Sequence, residues 1–285
     1  MTLFANDLLK GKVVLITGGA TGLGKAMAKV FITLGADIAL MSRNEQNLKT
    51  ASEELSTAER QVFYTVCDVR DSTAVAAAID SVIQHFGRID VLINNAAGNF
   101  ISPTERLSPR AVDTVLNIVL HGTFYTTLEL GKRWIEQDHG GVMLNIVTTY
   151  ASTGSSFVVP SAAAKAGVLA LTRSLAVEWA KYGIRQVAIA PGPFPTEGAS
   201  ERLAPSQNFL AKMADRVPLG RFGDHEELAN LAAYLISDYA AYINGEVVTI
   251  DGGEWLQGAG EFNDLLSLSD EEWDELTEKA KGNRS

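Results

Sequence analysis

Ser161 and Lys165 stand four residues apart in Ser161-Ala-Ala-Ala-Lys165, and Tyr150 lies eleven residues upstream of the serine. On a helix this spacing puts a hydroxyl and an ammonium on one face, one turn apart. A phenol ionises with an ordinary pKa of about 10, and a neighbouring ammonium lowers it. Serine is a far weaker acid. The phenol nearest to the pair, Tyr150, is displaced from the turn that precedes the lysine. The set fits a substrate whose oxygen is stabilised as charge develops but does not finish as an alcohol.

A glycine-rich stretch, Thr17-Gly18-Gly19-Ala20-Thr21-Gly22-Leu23-Gly24, follows the apolar run Val13 to Thr17 and opens an amphipathic segment. Glycines at such a strand-to-helix turn let the backbone approach a pyrophosphate at the helix N-terminus, which predicts a dinucleotide cofactor. The second apolar run ends in Ser42-Arg43, where an acidic residue would hold the adenosine ribose of NAD. A hydroxyl donor and a guanidinium suit a 2′-phosphate instead, so the expected cofactor is NADPH. Asp68 follows the third run and reads equally as an adenine contact or as a loop cap.

These residues need a scaffold. Apolar runs at Val13 to Thr17, Asp37 to Ser42, Val62 to Cys67, Val91 to Asn95, Val142 to Val147, Ile184 to Ala190 and Val247 to Ile250 alternate with longer amphipathic segments. Runs that are apolar throughout imply strands covered on both faces, the parallel doubly wound arrangement. The fold class expected is a single α/β Rossmann-like sheet of about seven strands with flanking helices. Ligands then bind beyond the carboxyl ends of the strands. Those ends carry Thr17-Gly-Gly, Ser42-Arg43, Asp68, Asn94-Asn95, Thr148 to Tyr150 and Pro191-Gly-Pro193. Ser108-Pro109 predicts the start of a long helix reaching toward Gln137, and a further helix is expected from about Ser161 through Tyr182. Residues 1–256 are expected to form the cofactor-binding and catalytic domain. Residues 257–285 would make an acidic tail whose Ser269-Asp-Glu-Glu272 capping box starts a short helix that packs on the domain or on a neighbouring subunit.

Across 285 residues, 46% hydrophobic and 20% charged content describe a globular chain, and a net charge of −10 argues against a nucleic-acid partner. The single cysteine, Cys67, excludes an intrachain disulfide. With the scattered histidines His85, His121, His139 and His225 it offers no metal-site spacing. No apolar stretch reaches the roughly 18 residues of a membrane span, and the opening residues lack the character of a targeting peptide. The expected setting is the cytoplasm.

Taken together, the glycine-rich turn, Asn94-Asn-Ala-Ala-Gly98, Lys165, Pro191-Gly-Pro193 and Ile243-Asn-Gly-Glu246 through Asp251-Gly-Gly253 resemble the short-chain dehydrogenase/reductase family over nearly the whole chain. More narrowly, Asn95 to Arg106, Gly154 to Gly167 and Gly260 to Asp264 are similar to the mitochondrial-type, NADPH-dependent 2,4-dienoyl-CoA reductases. The resemblance implies an auxiliary enzyme of unsaturated fatty-acid β-oxidation that acts on an acyl-CoA thioester, assembled as a homotetramer. It implies Tyr150 as the catalytic tyrosine, Asn99 as its partner at the substrate oxygen, and Ser161 and Lys165 as the supporting pair. The implied cofactor positions are Gly18, Gly19, Thr21, Gly22, Leu23, Ser42, Arg43, Asp68, Asn95, Lys165, Pro191, Gly192 and Phe194. The implied acyl-CoA contacts are Arg70, Phe100, Ser108 and Arg202. Two other readings stay open: a carbonyl or alcohol oxidoreductase using the displaced Tyr150, and a non-catalytic NADPH-binding regulator.

Overall fold

A computed structural model describes residues 6–196 and 207–282. Among them seven strands form one parallel sheet: β1 (Val13–Thr17), β2 (Asp37–Ser42), β3 (Phe63–Val66), β4 (Val91–Asn94), β5 (Gly141–Ile146), β6 (Ile184–Pro191) and β7 (Val247–Ile250). Their order in the sheet is β3-β2-β1-β4-β5-β6-β7, so the chain winds outward one way from β1 and then the other from β4. β3 is one residue shorter than expected at each end, β4 ends one residue earlier, and β5 begins and ends one residue earlier, as is ordinary at strand termini.

Burial on both faces explains the unbroken apolar runs of the inner strands, whereas the edge strands β3 and β7 are only partly buried. One layer packs Val14, Ile16, Ile38 and Leu40 against α1 (Gly22–Thr33), and the other packs Val13, Leu15, Ala39 and Met41 against α3 (Ser72–Phe86) and neighbouring helices. Cys67 lies in this second layer, where burial pushes its thiol up to about 11 with Asp68 and Asp71 adding to the shift. It is a packing residue at neutral pH.

The expected continuous helix after Ser108 is interrupted. The Ser108 Oγ accepts from the Ala111 N–H at 3.2 Å and α4 runs Pro109–Leu116, but Asn117–His121 is wound as a π-helical turn before α5 (Gly122–Glu136). Gly122 makes the close approach possible: a Cβ there would stand 2.7 Å from Val69 Cγ2. The next long helix, α7 (Val159–Glu178), starts two residues earlier than the sequence suggests and tightens into a 3-10 turn at Ala180–Tyr182. Past β7 the chain continues through a short helix at Glu254–Ala259 to the helix Asp270–Gly282. The Ser269 N–H donates to the Glu272 carboxylate at 2.8 Å, and the Glu272 N–H donates to Ser269 Oγ at 3.3 Å, the expected capping box. No helix among the described residues is long and apolar enough to cross a membrane.

A line of polar side chains crosses this apolar interior. Thr126 on α5 donates to Asn94 Oδ1 at 2.7 Å, Asn94 Nδ2 donates to Asn145 Oδ1 at 2.9 Å, and Asn145 Nδ2 donates to Thr172 Oγ1 on α7 at 2.9 Å. All four residues are buried. Each amide is satisfied by a group on the neighbouring element, so β4 and β5 are locked in register with α5 on one side and α7 on the other. Removing one member strands the others. Asn94→Ala is expected to cost about 3 kcal/mol of stability in denaturant unfolding, because the Thr126, Thr127 and Asn145 polar atoms lose a buried partner together. A change under about 1 kcal/mol would show that the chain of bonds does not stabilise the sheet.

Candidate active site

The glycine turn joins β1 to α1 with its backbone drawn tightly against β4. Gly18 has φ +63°, and a Cβ there would meet Ala96 Cα and Asn95 Nδ2 at 3.1 Å. A Cβ on Gly19 would stand 2.8 Å from Leu40 Cδ2, and one on Gly24 would stand 2.5 Å from the Gly18 carbonyl oxygen. These are places only glycine fits. Thr21 is the N-cap of α1, but its side chain makes no capping bond, and no acidic residue occupies the first turn. The N–H groups of that turn and the positive helix end are thus left for an anion. Leu23 is packed into the first core layer. From the other side, Thr196 Cγ2 would lie 3.2 Å from a Cβ on Gly22, so the loop after β6 meets the glycine turn. This cradle fits a dinucleotide pyrophosphate.

Asn95 serves that cradle indirectly. Its Nδ2 donates to the Thr17 and Gly18 carbonyl oxygens at 3.0 and 3.1 Å, and its N–H donates to Thr17 Oγ1 at 3.0 Å. Both amide hydrogens brace the turn, which makes Asn95 a positioning residue with its donors already used. Ser42 ends β2 half-buried and Arg43 is exposed beside it. Asp68, past β3, is held by Arg70: the Arg70 Nε donates to both carboxylate oxygens at 3.0 and 2.9 Å. That pairing keeps the Asp68 carboxyl below its usual range, with a further contribution from the Arg43 charge. Arg43, Asp68 and Arg70 therefore form one cluster with an excess positive charge at the ends of β2 and β3.

The loop after β6 contributes Pro191, Gly192 and Phe194. Gly192 passes so close to Asp251 that a Cβ would meet the aspartate Cβ at 2.5 Å, and its N–H donates to the Ile250 carbonyl at 2.9 Å. The Phe194 ring packs on Gly223 and against the first core layer. Arg202 lies outside the described residues.

Tyr150, Ser161 and Asn99 converge from three segments at the carboxyl ends of β4 and β5. Tyr150 opens the single-turn helix α6 (Tyr150–Thr153), and its hydroxyl lies 3.1 Å from Ser161 Oγ near the start of α7. Asn99 Nδ2 approaches the same phenol oxygen at 3.5 Å, the outer limit of a hydrogen bond. The Phe100 N–H donates to Asn99 Oδ1 at 2.9 Å, which turns the amide so that its NH2 faces the tyrosine. Phe100 in turn packs with Val115, Val119 and Ala164, seating the Asn99 loop on α4 and α7. A phenol and an amide, both able to donate, thus stand side by side, the kind of pair that can stabilise an oxyanion. Ser108 is exposed, with its oxygen used as the cap of α4.

Lys165 is buried one turn below Ser161, and its Nζ donates to the Ile146 carbonyl at the end of β5. Burial lowers its pKa from 10.5 to about 8, so it is still mostly an ammonium at neutral pH. One further group was visible as a strand-end residue but carries no assigned role: Thr148 Oγ1, two residues before Tyr150, is buried without a hydrogen-bond partner among the described residues. Its position after β5 is the only signal the sequence offers. No group of three or more metal-ligating side chains occurs among the described residues.

Comparison with known proteins agrees with this geometry. The family model described as enoyl-(acyl carrier protein) reductase matches residues 18–254. A Bacillus subtilis (strain 168) protein named probable 2,4-dienoyl-CoA reductase [(2E)-enoyl-CoA-producing] is 50% identical over 249 residues, covering 87% of this chain and 98% of that protein. A Caenorhabditis elegans protein named probable 2,4-dienoyl-CoA reductase 3 [(3E)-enoyl-CoA-producing] is 45% identical over 250 residues, covering 86% of this chain and 81% of its own length. Among solved structures, a short chain dehydrogenase from Bacillus anthracis superposes with a TM-score of 0.79 at 47% identity, over 86% of this chain and 96% of that one.

The lowered Lys165 pKa has a measurable sign. Below about pH 8 the folded and unfolded chains both hold this proton, and the burial penalty is fully present; between about 8 and 10.5 only the unfolded chain holds it. The contribution of this group to stability therefore rises with pH across that window. Denaturant titrations of the unmodified protein and of Lys165→Met are expected to show the difference moving in favour of the unmodified protein from about pH 8 to 10.5. A difference that stays flat would mean the folded lysine titrates normally.

Proposed function

Because the chain belongs to the short-chain dehydrogenase/reductase family, we propose that it is an NADPH-dependent 2,4-dienoyl-CoA reductase of unsaturated fatty-acid β-oxidation. The observation that carries this is the pairing of Tyr150 and Asn99 around one oxygen position, with Ser161 behind the phenol and Lys165 buried below it. Such a site stabilises negative charge on an oxygen that the reaction leaves as a carbonyl, whereas reduction of a ketone requires a full proton transfer to that oxygen.

Gly18, Gly19 and the first turn of α1 would hold the cofactor pyrophosphate. Ser42 and Arg43 would hold the adenosine 2′-phosphate, and Lys165 the nicotinamide ribose. NADPH, when bound, supplies a hydride to the delta carbon of the conjugated thioester. The electron pair displaced by that bond spreads along the chain to the thioester oxygen, where the Tyr150 hydroxyl and the Asn99 amide donate to the dienolate. Ser161 keeps the phenol oriented toward the oxygen instead of toward solvent, and the Lys165 ammonium adds positive potential beneath it. Neither Tyr150 nor Lys165 has to give up its proton for good. Water then protonates the alpha carbon, adjacent to the charge these donors hold, to give a 3-enoyl-CoA. Relatives are named for both outcomes, 2-enoyl for the bacterial one and 3-enoyl for the worm one, so product position is the finest part of the proposal.

The acyl-CoA phosphates carry charge that Arg70 and Arg202 are suited to meet, although Arg70 must share itself with Asp68. The proposal extends to a cytoplasmic homotetramer. Large apolar side chains exposed along the C-terminal segment, including Leu256, Phe262 and Leu266, support burial of that segment by association.

NADPH oxidation in the presence of 2,4-hexadienoyl-CoA, acetoacetyl-CoA and simple ketones tests the reaction. Preference for the dienoyl thioester with a 3-enoyl product is expected; ketone preference would overturn the reaction and a 2-enoyl product the protonation step. Tyr150→Phe is expected to lower kcat about 100-fold to 1000-fold with the Kd for NADPH within about twofold of the unmodified protein. Arg43→Ala is expected to weaken NADPH binding about tenfold or more while leaving NADH nearly unchanged. Equal affinity of the unmodified protein for the two cofactors would remove Arg43 from specificity.

A further inference from the structure

Phe157 is held in the left-handed backbone region, φ +65°, a conformation that a residue with a bulky side chain adopts at a cost. It is not a buried residue placed there by core packing, because it is 56% exposed. What fixes it is its carbonyl, which accepts from the Ser102 N–H at 2.9 Å. That bond ties the connection between α6 and α7 to the loop after β4. The first carries Tyr150 on one side and Ser161 on the other; the second carries Asn99. Three large apolar residues lie within two positions of the tie and are exposed: Ile101 at 39%, Phe157 at 56% and Val159 at 42%. This apolar surface is left uncovered by the described residues, and the tie it surrounds stands three residues past Asn99 on one segment and four residues before Ser161 on the other.

We propose that Phe157, with Ile101 and Val159, forms the lip that takes the hydrocarbon tail of the acyl thioester beyond the diene, and that Phe157 sets the preference for acyl-chain length. This rests on the dienoyl-thioester reading above. The thioester oxygen is fixed at Tyr150 and Asn99, and the conjugated carbons extend rigidly from it. The first flexible methylenes of a long substrate therefore emerge past the reacting carbons, where a polar rim would leave them in water. Backbone strain of this kind clusters at active sites and ligand clamps, and a flexible alkyl tail is the apolar partner that this substrate class supplies for the exposed ring. A short substrate ends before the lip and gains nothing from it.

The test compares kcat/KM for 2,4-hexadienoyl-CoA and 2,4-decadienoyl-CoA in the unmodified protein, Phe157→Ala, Phe157→Gly and Ile101→Ala. Loss of the ring is expected to lower kcat/KM for the ten-carbon substrate about tenfold, mainly through KM, with the six-carbon substrate within about twofold. Phe157→Gly relieves the backbone strain and also lacks the ring. It is expected to match Phe157→Ala in the substrate ratio while melting at the same or a higher temperature, which separates loss of the ring from loss of folding. Ile101→Ala should shift the ratio in the same direction by a smaller factor, with no change of backbone at Phe157. Equal losses on both substrates, or an unchanged ratio in both Phe157 variants, would overturn the lip and leave the reductase reading intact. No turnover of either dienoyl thioester by the unmodified protein would instead overturn the reductase reading, and the lip with it.

Discussion

The chain of buried hydrogen bonds from Thr126 through Asn94 and Asn145 to Thr172 is the constraint on which the rest of the site depends. An apolar sheet is indifferent to small slides of its covering helices, since one methyl group packs much like another. Amide groups are not indifferent, because a shift of an ångström leaves a donor without an acceptor in a medium where that is costly. Anchoring α7 to β5 through Thr172 sets where Ser161 and Lys165 fall relative to the end of that strand. Anchoring β4 to α5 does the same for the loop that carries Asn95 and Asn99. Catalytic geometry at the carboxyl edge of the sheet is in this sense inherited from polar packing several residues below it.

The strands and the glycine turn were legible because their causes are local. An unbroken apolar run has only one good place in a doubly wound sheet, and Gly18 and Gly24 sit where any Cβ would strike backbone or Asn95. The shared face of Ser161 and Lys165 was also legible, because their helical phase is fixed by spacing, whereas Tyr150 joined them only through the family resemblance. What could not be read were pairings between segments distant in sequence. Asn95 stands among residues that suggest ligand contact, yet its amide hydrogens go to Thr17 and Gly18. Nothing in a linear pattern separates an asparagine that touches a cofactor from one that shapes the loop that does. The π turn at Asn117–His121 was hidden for a related reason: no proline marks it, and the close approach of Gly122, the residue after it, to Val69 is made only in the fold. The positive φ of Phe157 runs against residue preference altogether, so it belongs to tertiary structure alone.

Electrostatics at the ligand end are set against the character of the whole chain. A net charge of −10 surrounds a site that must accept anions, and the local balance is restored by few groups. The N-terminus of α1 offers backbone donors without an acidic residue in its first turn. Asp68 is neutralised by Arg70, so that Arg43 is not cancelled by its neighbour. Lys165 adds a cation that burial makes easier to discharge but that stays protonated near neutrality.

The placement of the tyrosine on α6 separates two mechanical duties. Lys165 rides on α7, a twenty-residue helix seated across the sheet, and moves only if that long beam moves. Tyr150 rides on four residues closed by Gly154 at φ 75°, a separate short turn. The phenol and the ammonium are thus carried by different pieces of chain, coupled across the hydrogen bond between Tyr150 and Ser161, so the sequence of one can change without rewriting the helix that holds the other.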